Sequence, residues 1–128
     1  MSDRERVVLV VDDDPSVRRG LDRLLRAAGY RVEAFASGQE LLDGADLEAA
    51  GCLILDVRLP GLNGLDLQET LAKGGSTVPI IFITGHGDAA MNLRALKAGA
   101  VDFLQKPFDE RALLEAVRGA LTRPRDAE

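Results

Sequence analysis

The sequence predicts an α/β domain in which a five-stranded parallel sheet is covered by helices on both faces, a doubly wound arrangement. Five short apolar runs alternate with five helical patterns along the chain, and three of the runs are apolar without interruption. Alternation of this kind is typical of consecutive βαβ units, and uninterrupted apolar strands are typical of a sheet buried on both faces. The 128 residues, 46% of them hydrophobic, are enough for one domain with its own core.

The pattern of the runs also predicts the order of the strands. The runs span 7–11, 31–35, 52–55, 80–83 and 101–104. Runs one, three and four are continuous, whereas Arg31 and Glu33 interrupt the second and Asp102 interrupts the fifth. Because edge strands tolerate such alternation, the second and fifth strands are expected at the edges. Right-handed crossovers then favour the order 2-1-3-4-5, with the third strand in the middle.

Capping residues predict the bounds of the first two helices. Asp14 is a natural N-cap with Pro15 in the first helical position, and Gly29 ends the first helix. Ser37 and Glu40 have the spacing of a capping box at the start of the second. Both helices are therefore expected to begin just after the strand that precedes them.

Glycine, aspartate and proline residues predict the bounds of the other three helices. The third is expected to start near Gly64, and the fourth to run from Asp88 to Gly99. The fifth follows Pro107, with Asp109 as its cap. The apolar residues expected within the fourth helix are Met91, Leu93 and Leu96, and those expected to face the sheet from the fifth are Leu113, Leu114, Val117 and Leu121.

Composition excludes several classes of function. A net charge of −5 and a pI near 4.9 argue against a nucleic-acid-binding surface, which needs clustered Lys and Arg. Cys52 is the single cysteine and lies in an apolar run, so a buried thiol suited to a reducing cytoplasm is expected. No apolar segment approaches the length of a membrane span, and no signal-peptide pattern opens the sequence. The chain is expected to be cytoplasmic, without membrane contact.

Polar residues follow four of the five predicted strands. Asp12 and Asp13 follow the first, Asp56 the third and Thr84 the fourth, and Lys106 lies just beyond the fifth. Function in open parallel sheets collects at these carboxyl ends. Crowded carboxylates repel unless a cation neutralises them, and oxygen ligands without nearby His or Cys favour Mg²⁺ or a similar hard ion such as Mn²⁺.

Two interpretations of this rim remain open from the residues alone. Charged residues follow strands simply because loops are solvated, and this explains any one of them. Taken together, a carboxylate beside a bound hard cation and a lysine suits phosphoryl transfer, with the carboxylate as nucleophile. The acidic run in "VVDDDPS" would repel a nucleotide or flavin phosphate, which needs a glycine-rich turn at this place.

Four motifs resemble those of one protein family. "LVVDDDPSVRRGL", "LILDVRLPGLNGLDL", "IIFITGHGD" and "KAGAVDFLQKPF" are similar to the successive motifs of the CheY-like receiver domain of bacterial two-component response regulators. The last two most resemble FixJ-type and NtrC-type receivers. The resemblance covers about residues 6–121 and implies a flavodoxin-like fold. We expect a receiver domain at 1–121, with 122–128 as a polar tail or the start of an interdomain linker.

The resemblance implies a signalling phosphoacceptor rather than a turnover enzyme, one that assists its own phosphorylation and dephosphorylation. Asp56 would accept a phosphoryl group from a histidine of a sensor kinase or phosphotransfer protein. Asp13 would bind Mg²⁺ directly and Asp12 mainly through a water, with Asp56 and the backbone carbonyl of Arg58 completing the protein ligands. Lys106 would contact the phosphoryl group.

The resemblance also implies how the signal would spread. The Lys106–Pro107 bond is expected to be cis. Thr84 would move to bond a phosphoryl oxygen, and Phe103 would turn inward with it as an aromatic switch. This would remodel the face formed by the fourth helix, fifth strand and fifth helix, which would control a homodimer or an output such as transcription.

The resemblance leaves the roles of Arg58 and His86 less defined, and two other functions remain to be weighed. The Arg58 side chain is expected to affect the lifetime of the phosphoryl group, and His86 between glycines is expected to be structural or exposed to solvent. A phosphatase with an Asp nucleophile usually carries a second acid two residues later, where this chain has Arg58. A pure docking domain is expected to lack one of Asp13, Asp56 or Lys106, and all three are present.

Overall fold

A computed structural model describes residues 6–85 and 89–122. Its five strands are β1 (Val7–Val11), β2 (Arg31–Phe35), β3 (Ala50–Asp56), β4 (Ile80–Thr84) and β5 (Asp102–Gln105). They form one parallel sheet in the order β2-β1-β3-β4-β5, which confirms the predicted order and places β3 in the centre. β3 is longer than the apolar run predicted, because Ala50 already lies opposite Val7 of β1.

The helices form a layer on each face of the sheet. They are α1 (Pro15–Ala27), α2 (Gly38–Gly44), α3 (Gly64–Lys73), α4 (Ala89–Lys97) and α5 (Glu110–Thr122). The buried side chains of α1 and α5 pack in one core cluster, and those of α2, α3 and α4 pack in the other. Among the residues described, no helix is both long enough and apolar enough to cross a bilayer.

Alternation along each central strand supplies both cores. Val8 and Val10 of β1 pack towards α1 and α5, whereas Leu9 and Val11 pack towards the other layer. Successive side chains of a strand point to opposite faces, so a strand that is covered twice needs apolar residues throughout. Each buried side chain of this size contributes about 1.5–3 kcal/mol. This explains why the central runs of the sequence are continuous.

The predicted caps of α1 and α2 are present, with one difference. The Asp14 carboxylate accepts a hydrogen bond of 2.8 Å from the Ser16 amide, and the Ser37 hydroxyl accepts one of 3.1 Å from the Glu40 amide. In a capping box the Glu40 carboxylate would accept from Ser37 itself. Here it accepts from the Ala36 amide at 2.9 Å, one residue earlier, and so holds the end of β2 as well as the helix.

The later helices also begin and end at polar or glycine signals. The Asp109 carboxylate accepts a 3.1 Å hydrogen bond from the Ala112 amide in the first turn of α5. Gly99 has φ +106 after α4, and the Ala100 amide donates to the Ala95 carbonyl at 3.0 Å. This pattern closes the helix as a Schellman motif does. The expected start of the fourth helix at Asp88 lies outside the described residues.

Cys52 is buried on β3, as the apolar run around it predicts. Burial raises the pKa of its thiol to about 12. The thiol therefore stays protonated at neutral pH and serves as a small apolar side chain in the core.

Helix α3 starts in close contact with the end of β3. The Gly64 amide donates a 2.8 Å hydrogen bond to the Val57 carbonyl. A Cβ at position 64 would lie 2.8 Å from the Val57 Cα and would also clash with the backbone carbonyl of Asp56. Only glycine allows the backbone of a helix to approach a strand end this closely. The requirement for glycine at position 64 therefore comes from the backbone of Asp56 and Val57, next to the candidate carboxylate.

We predict that Gly64→Ala lowers the free energy of unfolding by about 1–3 kcal/mol, because the clash is with backbone atoms that cannot turn away. Urea denaturation measures it. Gly20→Ala is the matched control, since Gly20 lies inside α1 with no atom near its missing Cβ. There the same substitution should stabilise the protein by up to about 1 kcal/mol. Equal changes in the free energy of unfolding for Gly64→Ala and Gly20→Ala would contradict the requirement for glycine at position 64.

Candidate functional site

The neighbouring strands β1 and β3 bring two carboxylates to the same edge of the sheet. Asp12 follows β1 directly, Asp56 is the last residue of β3, and Val11 lies opposite Leu55 in the sheet. The side chains are therefore neighbours. Asp12 is fully buried and Asp56 is 5% exposed. Such burial of two like charges is unfavourable unless positive charge compensates it.

The third carboxylate completes a candidate cation site. Asp12, Asp13 and Asp56 each offer an oxygen, and these oxygens all lie within 4.8 Å of one another. Asp13 is exposed and lines a surface cavity of about 640 Å³, which leaves room for water ligands. A set of oxygens open on one side fits Mg²⁺, which retains several waters and binds through few carboxylates. The chemistry of these donors thus fits the predicted ion.

Lys106 joins the two buried acids. Its ammonium donates hydrogen bonds to Asp12 Oδ2 at 2.8 Å and to Asp56 Oδ2 at 3.1 Å. The residue follows β5, its amide donates to the Thr84 carbonyl at 2.7 Å, and the Lys106–Pro107 bond is cis, as expected. Strands from both halves of the sheet therefore meet at a single ammonium group.

Backbone amides hold the other oxygen of each buried acid. Asp12 Oδ1 accepts from the Asp14 amide at 2.9 Å, and Asp56 Oδ1 accepts from the Arg58 amide at 3.0 Å. Each carboxylate thus has one oxygen on an amide of its own loop and one on Lys106. The amide of Arg58 is a contact that the sequence did not predict, whereas its carbonyl remains a predicted metal ligand.

The site raises the pKa of both interacting groups. Burial is the largest influence on Asp56 and raises its pKa, and the Asp12 carboxylate raises it further, while the Arg58 amide and Lys106 oppose them. Burial by itself would lower the pKa of Lys106, but its hydrogen bonds and attraction to Asp12 and Asp56 outweigh burial and raise it. The ammonium therefore stays charged, while the raised pKa means that Asp56 holds its proton more tightly than a free aspartic acid does.

The predicted switch residues lie on β4 and β5. Thr84 ends β4 and is fully buried. Phe103 on β5 is half-buried, and its ring centroid is 6.0 Å from that of Phe82, its neighbour in the sheet. The movement of Thr84 and Phe103 remains a prediction. His86 lies outside the described residues.

Arg18 and Asn63 support the site and were missed from the sequence, whereas Gly64 was expected only as the start of the third helix. The Arg18 guanidinium donates to the backbone carbonyl of Asp12 at 2.8 Å and fixes the loop after β1. The Asn63 side chain caps α3 by accepting from the Asp66 amide at 2.9 Å, and Gly64 allows α3 to approach Asp56. Asn63 could have been recognised as a preferred cap residue before a helix. Arg18 could not, since α1 carries several arginines and nothing in the pattern distinguishes this one.

We predict that Asp56→Asn stabilises the protein in the absence of metal. Because the fold raises the pKa of Asp56, the folded chain holds this proton more tightly than the unfolded chain, and ionisation lowers stability at neutral pH. Urea denaturation at pH 7 with a chelator should give a higher midpoint for the variant. The difference should shrink as the pH falls through the raised pKa towards the ordinary value of 3.8.

Asp22→Asn is the control for that comparison. Asp22 lies on the exposed face of α1, where it pairs with Arg26 at 2.8 Å. An exposed pair of this kind contributes less than about 1 kcal/mol, so the control should destabilise slightly. A metal-free Asp56→Asn protein less stable than the wild type would contradict the predicted cost of burying this charge.

Comparison with known proteins identifies the family. The profile of the response regulator receiver domain matches residues 8–118. The response regulator protein TmoT of Ectopseudomonas mendocina is 51% identical over 121 residues, which are 94% of this chain and 55% of TmoT. The transcriptional regulatory protein FixJ of Azorhizobium caulinodans is 43% identical over 116 residues, 91% of this chain and 55% of FixJ.

A solved structure agrees with these matches. The crystal structure of FixJ-N superposes with a TM-score of 0.85 at 36% identity and covers 97% of this chain and 98% of FixJ-N. The chain spans about half the length of the curated relatives it matches. The match of the profile to most of the chain, together with these likenesses in sequence and fold, shows that the chain belongs to the receiver-domain family of response regulators.

Proposed function

We propose that this receiver accepts a phosphoryl group on Asp56 from a histidine of a sensor kinase or phosphotransfer protein, in a reaction that depends on Mg²⁺. The observation that carries the proposal is the contact of Lys106 with both Asp12 and Asp56. An ammonium between two acids, beside a third and open to a cavity, supplies a nucleophile and positive charge at one place.

Four groups would hold the ion. They are the carboxylates of Asp12, Asp13 and Asp56 and the backbone carbonyl of Arg58, with Asp12 acting mainly through a water. When bound, Mg²⁺ supplies positive charge that offsets the charge on the transferring phosphoryl oxygens. The exposed position of Asp13 supports direct contact, because the residue lines the open cavity and offers an oxygen within 4.8 Å of those of the two buried acids.

The chain's own residues would perform the transfer as follows. A carboxylate oxygen of Asp56 attacks phosphorus, and the bond from phosphorus to the donor imidazole nitrogen breaks. The electron pair of that bond stays on the imidazole nitrogen, and a new acyl phosphate forms. The Arg58 amide keeps the carboxylate oriented throughout. Lys106 releases its bond to Asp56 and donates to a phosphoryl oxygen, where charge has increased.

The output would follow from a change of packing around β4 and β5. Thr84 would bond a phosphoryl oxygen, and Phe103 would follow it inward against Phe82. The face of α4, β5 and α5 would then favour a homodimer or an output domain. Control of transcription is the output we propose, because FixJ is named a transcriptional regulatory protein. In this proposal the receiver spans 1–121, and 122–128 begin a linker.

We predict that a small acyl phosphate such as acetyl phosphate, with Mg²⁺, adds the mass of one phosphoryl group to the intact chain. Asp56→Asn or a chelator should remove the signal, because nucleophile or cation is then missing. Intact-protein mass spectrometry measures it. An Asp56→Asn variant that still becomes labelled would sink the proposal. Steady hydrolysis of a phosphate ester would instead support a phosphatase, and no label at all would support a docking domain.

A second prediction separates two adjacent aspartates. Asp13→Ala should abolish Mg²⁺-dependent phosphorylation, because its carboxylate belongs to the cation site. Asp14→Ala should lower the free energy of unfolding by about 1 kcal/mol, since it removes the cap on the Ser16 amide, and should leave phosphorylation intact. Phosphorylation assays and urea denaturation of both variants test this division. Equal loss of Mg²⁺ binding in the two variants would show that it is wrong.

A further inference from the structure

Arg94 on α4 borders two separate cavities. One is the cavity of about 640 Å³ beside the acidic site, where Arg94 is a lining residue together with Asp13 and Arg58. The other, of about 430 Å³, is a groove between α3 and α4 that Arg94 lines together with Asp66. A single exposed arginine therefore borders both the cavity beside the candidate site and the groove against α3.

The groove has walls of opposite charge. Asp66 and Glu69 line it from α3, and Arg94 and Lys97 line it from α4. Residues three apart lie on one face of a helix, so each wall presents two like charges towards the other. No salt bridge joins the two helices in the part of the chain that the structure describes. The charges attract across the groove without being fixed in contact.

A buried hydrogen bond lies between these charges. Gln68 on α3 is 5% exposed, and its amide donates to the Ala95 carbonyl of α4 at 3.1 Å. That carbonyl also accepts from the Ala100 amide at the end of α4. The C-terminal end of α4 is thus tied to α3, while Arg94 is exposed and borders both cavities.

Arg94 therefore has two competing sets of negative charge. On one side are the carboxylates of Asp66 and Glu69, whose negative charge is the same before and after phosphorylation. On the other side is the acidic site, where Lys106 and a bound cation offset the carboxylates until a phosphoryl group is added. A phosphoryl group carries about −1.5 to −2 charges at neutral pH, so its arrival shifts the balance of attraction towards the site.

We propose that Arg94 is a charge-sensing residue that turns from the acidic wall of α3 towards the phosphorylated site. This inference rests on the proposed phosphorylation of Asp56. In its turned position Arg94 stabilises the incoming phosphoryl charge from the open side of the site. It also leaves Lys97 as the remaining cation that faces the acidic wall of α3, so the α3–α4 groove loosens when the site is filled. Arg94 is a positioning residue, whereas the chemistry stays with Asp56 and Lys106.

The test uses two substitutions with opposite expected effects. Arg94→Gln should slow Mg²⁺-dependent phosphorylation by acetyl phosphate about threefold, a change typical of one screened surface charge. Asp66→Asn should accelerate it about twofold, because the competing acid is gone. In the Arg94→Gln background, adding Asp66→Asn should leave the rate unchanged, because no arginine is left at position 94 to be released. Arg94→Lys should restore most of the rate, and the differences should disappear near 1 M salt.

The control is Arg118→Gln on α5, which removes the same charge from an exposed position on the opposite helical layer. Its rate should equal that of the wild type. Phosphoramidate serves as a second donor, and the effects should be the same with it, because the inference concerns the phosphoryl group and not the leaving group. Initial rates from intact-protein mass spectrometry measure every variant, and urea denaturation confirms that each is folded.

Three results would overturn the inference. They are an Arg94→Gln rate equal to that of the wild type, additive effects in the double variant, and an effect confined to one donor. Each leaves phosphorylation of Asp56 intact and so contradicts the role of Arg94 alone. A wild-type chain that takes no label on Asp56 from either donor would overturn the proposed function and, with it, this inference.

Discussion

The contact of one ammonium with two buried carboxylates is the interaction on which the candidate site depends. Asp12 and Asp56 lie side by side because their strands are neighbours, and both are almost completely buried. Without Lys106, only the backbone amides of Asp14 and Arg58 would offset their mutual repulsion and desolvation. With it, the pKa of Asp56 is still raised. Further positive charge, such as that of a divalent cation, would lower this pKa and favour the ionised carboxylate.

The rest of the fold serves to hold these groups in place. Continuous apolar residues bury β1, β3 and β4 on both faces, so close packing holds these three strands side by side. The Asp14 cap and the Arg18 guanidinium fix the loop after β1, and Gly64 lets α3 begin against the backbone of Asp56. The site is therefore assembled by short local contacts on a rigid sheet.

Much of this arrangement could be predicted, and most of what was missed has a common cause. Strand order followed from which runs were continuous, and the candidate residues followed from the rule that functional groups lie at the carboxyl ends of strands. Arg18, the close approach at Gly64 and the bond from the Ala36 amide to Glu40 were not predicted. Each depends on where a side chain or backbone lies in space, to which sequence periodicity is insensitive.

The sequence by itself determined the fold class, the order of the strands and the set of polar residues at one edge, because hydrophobic periodicity and caps are local properties. Tertiary structure alone decided how the acids share Lys106 and that Arg94 borders both cavities. Those facts depend on distances between residues far apart in the chain. Such distances arise only when the strands pair and the helices pack.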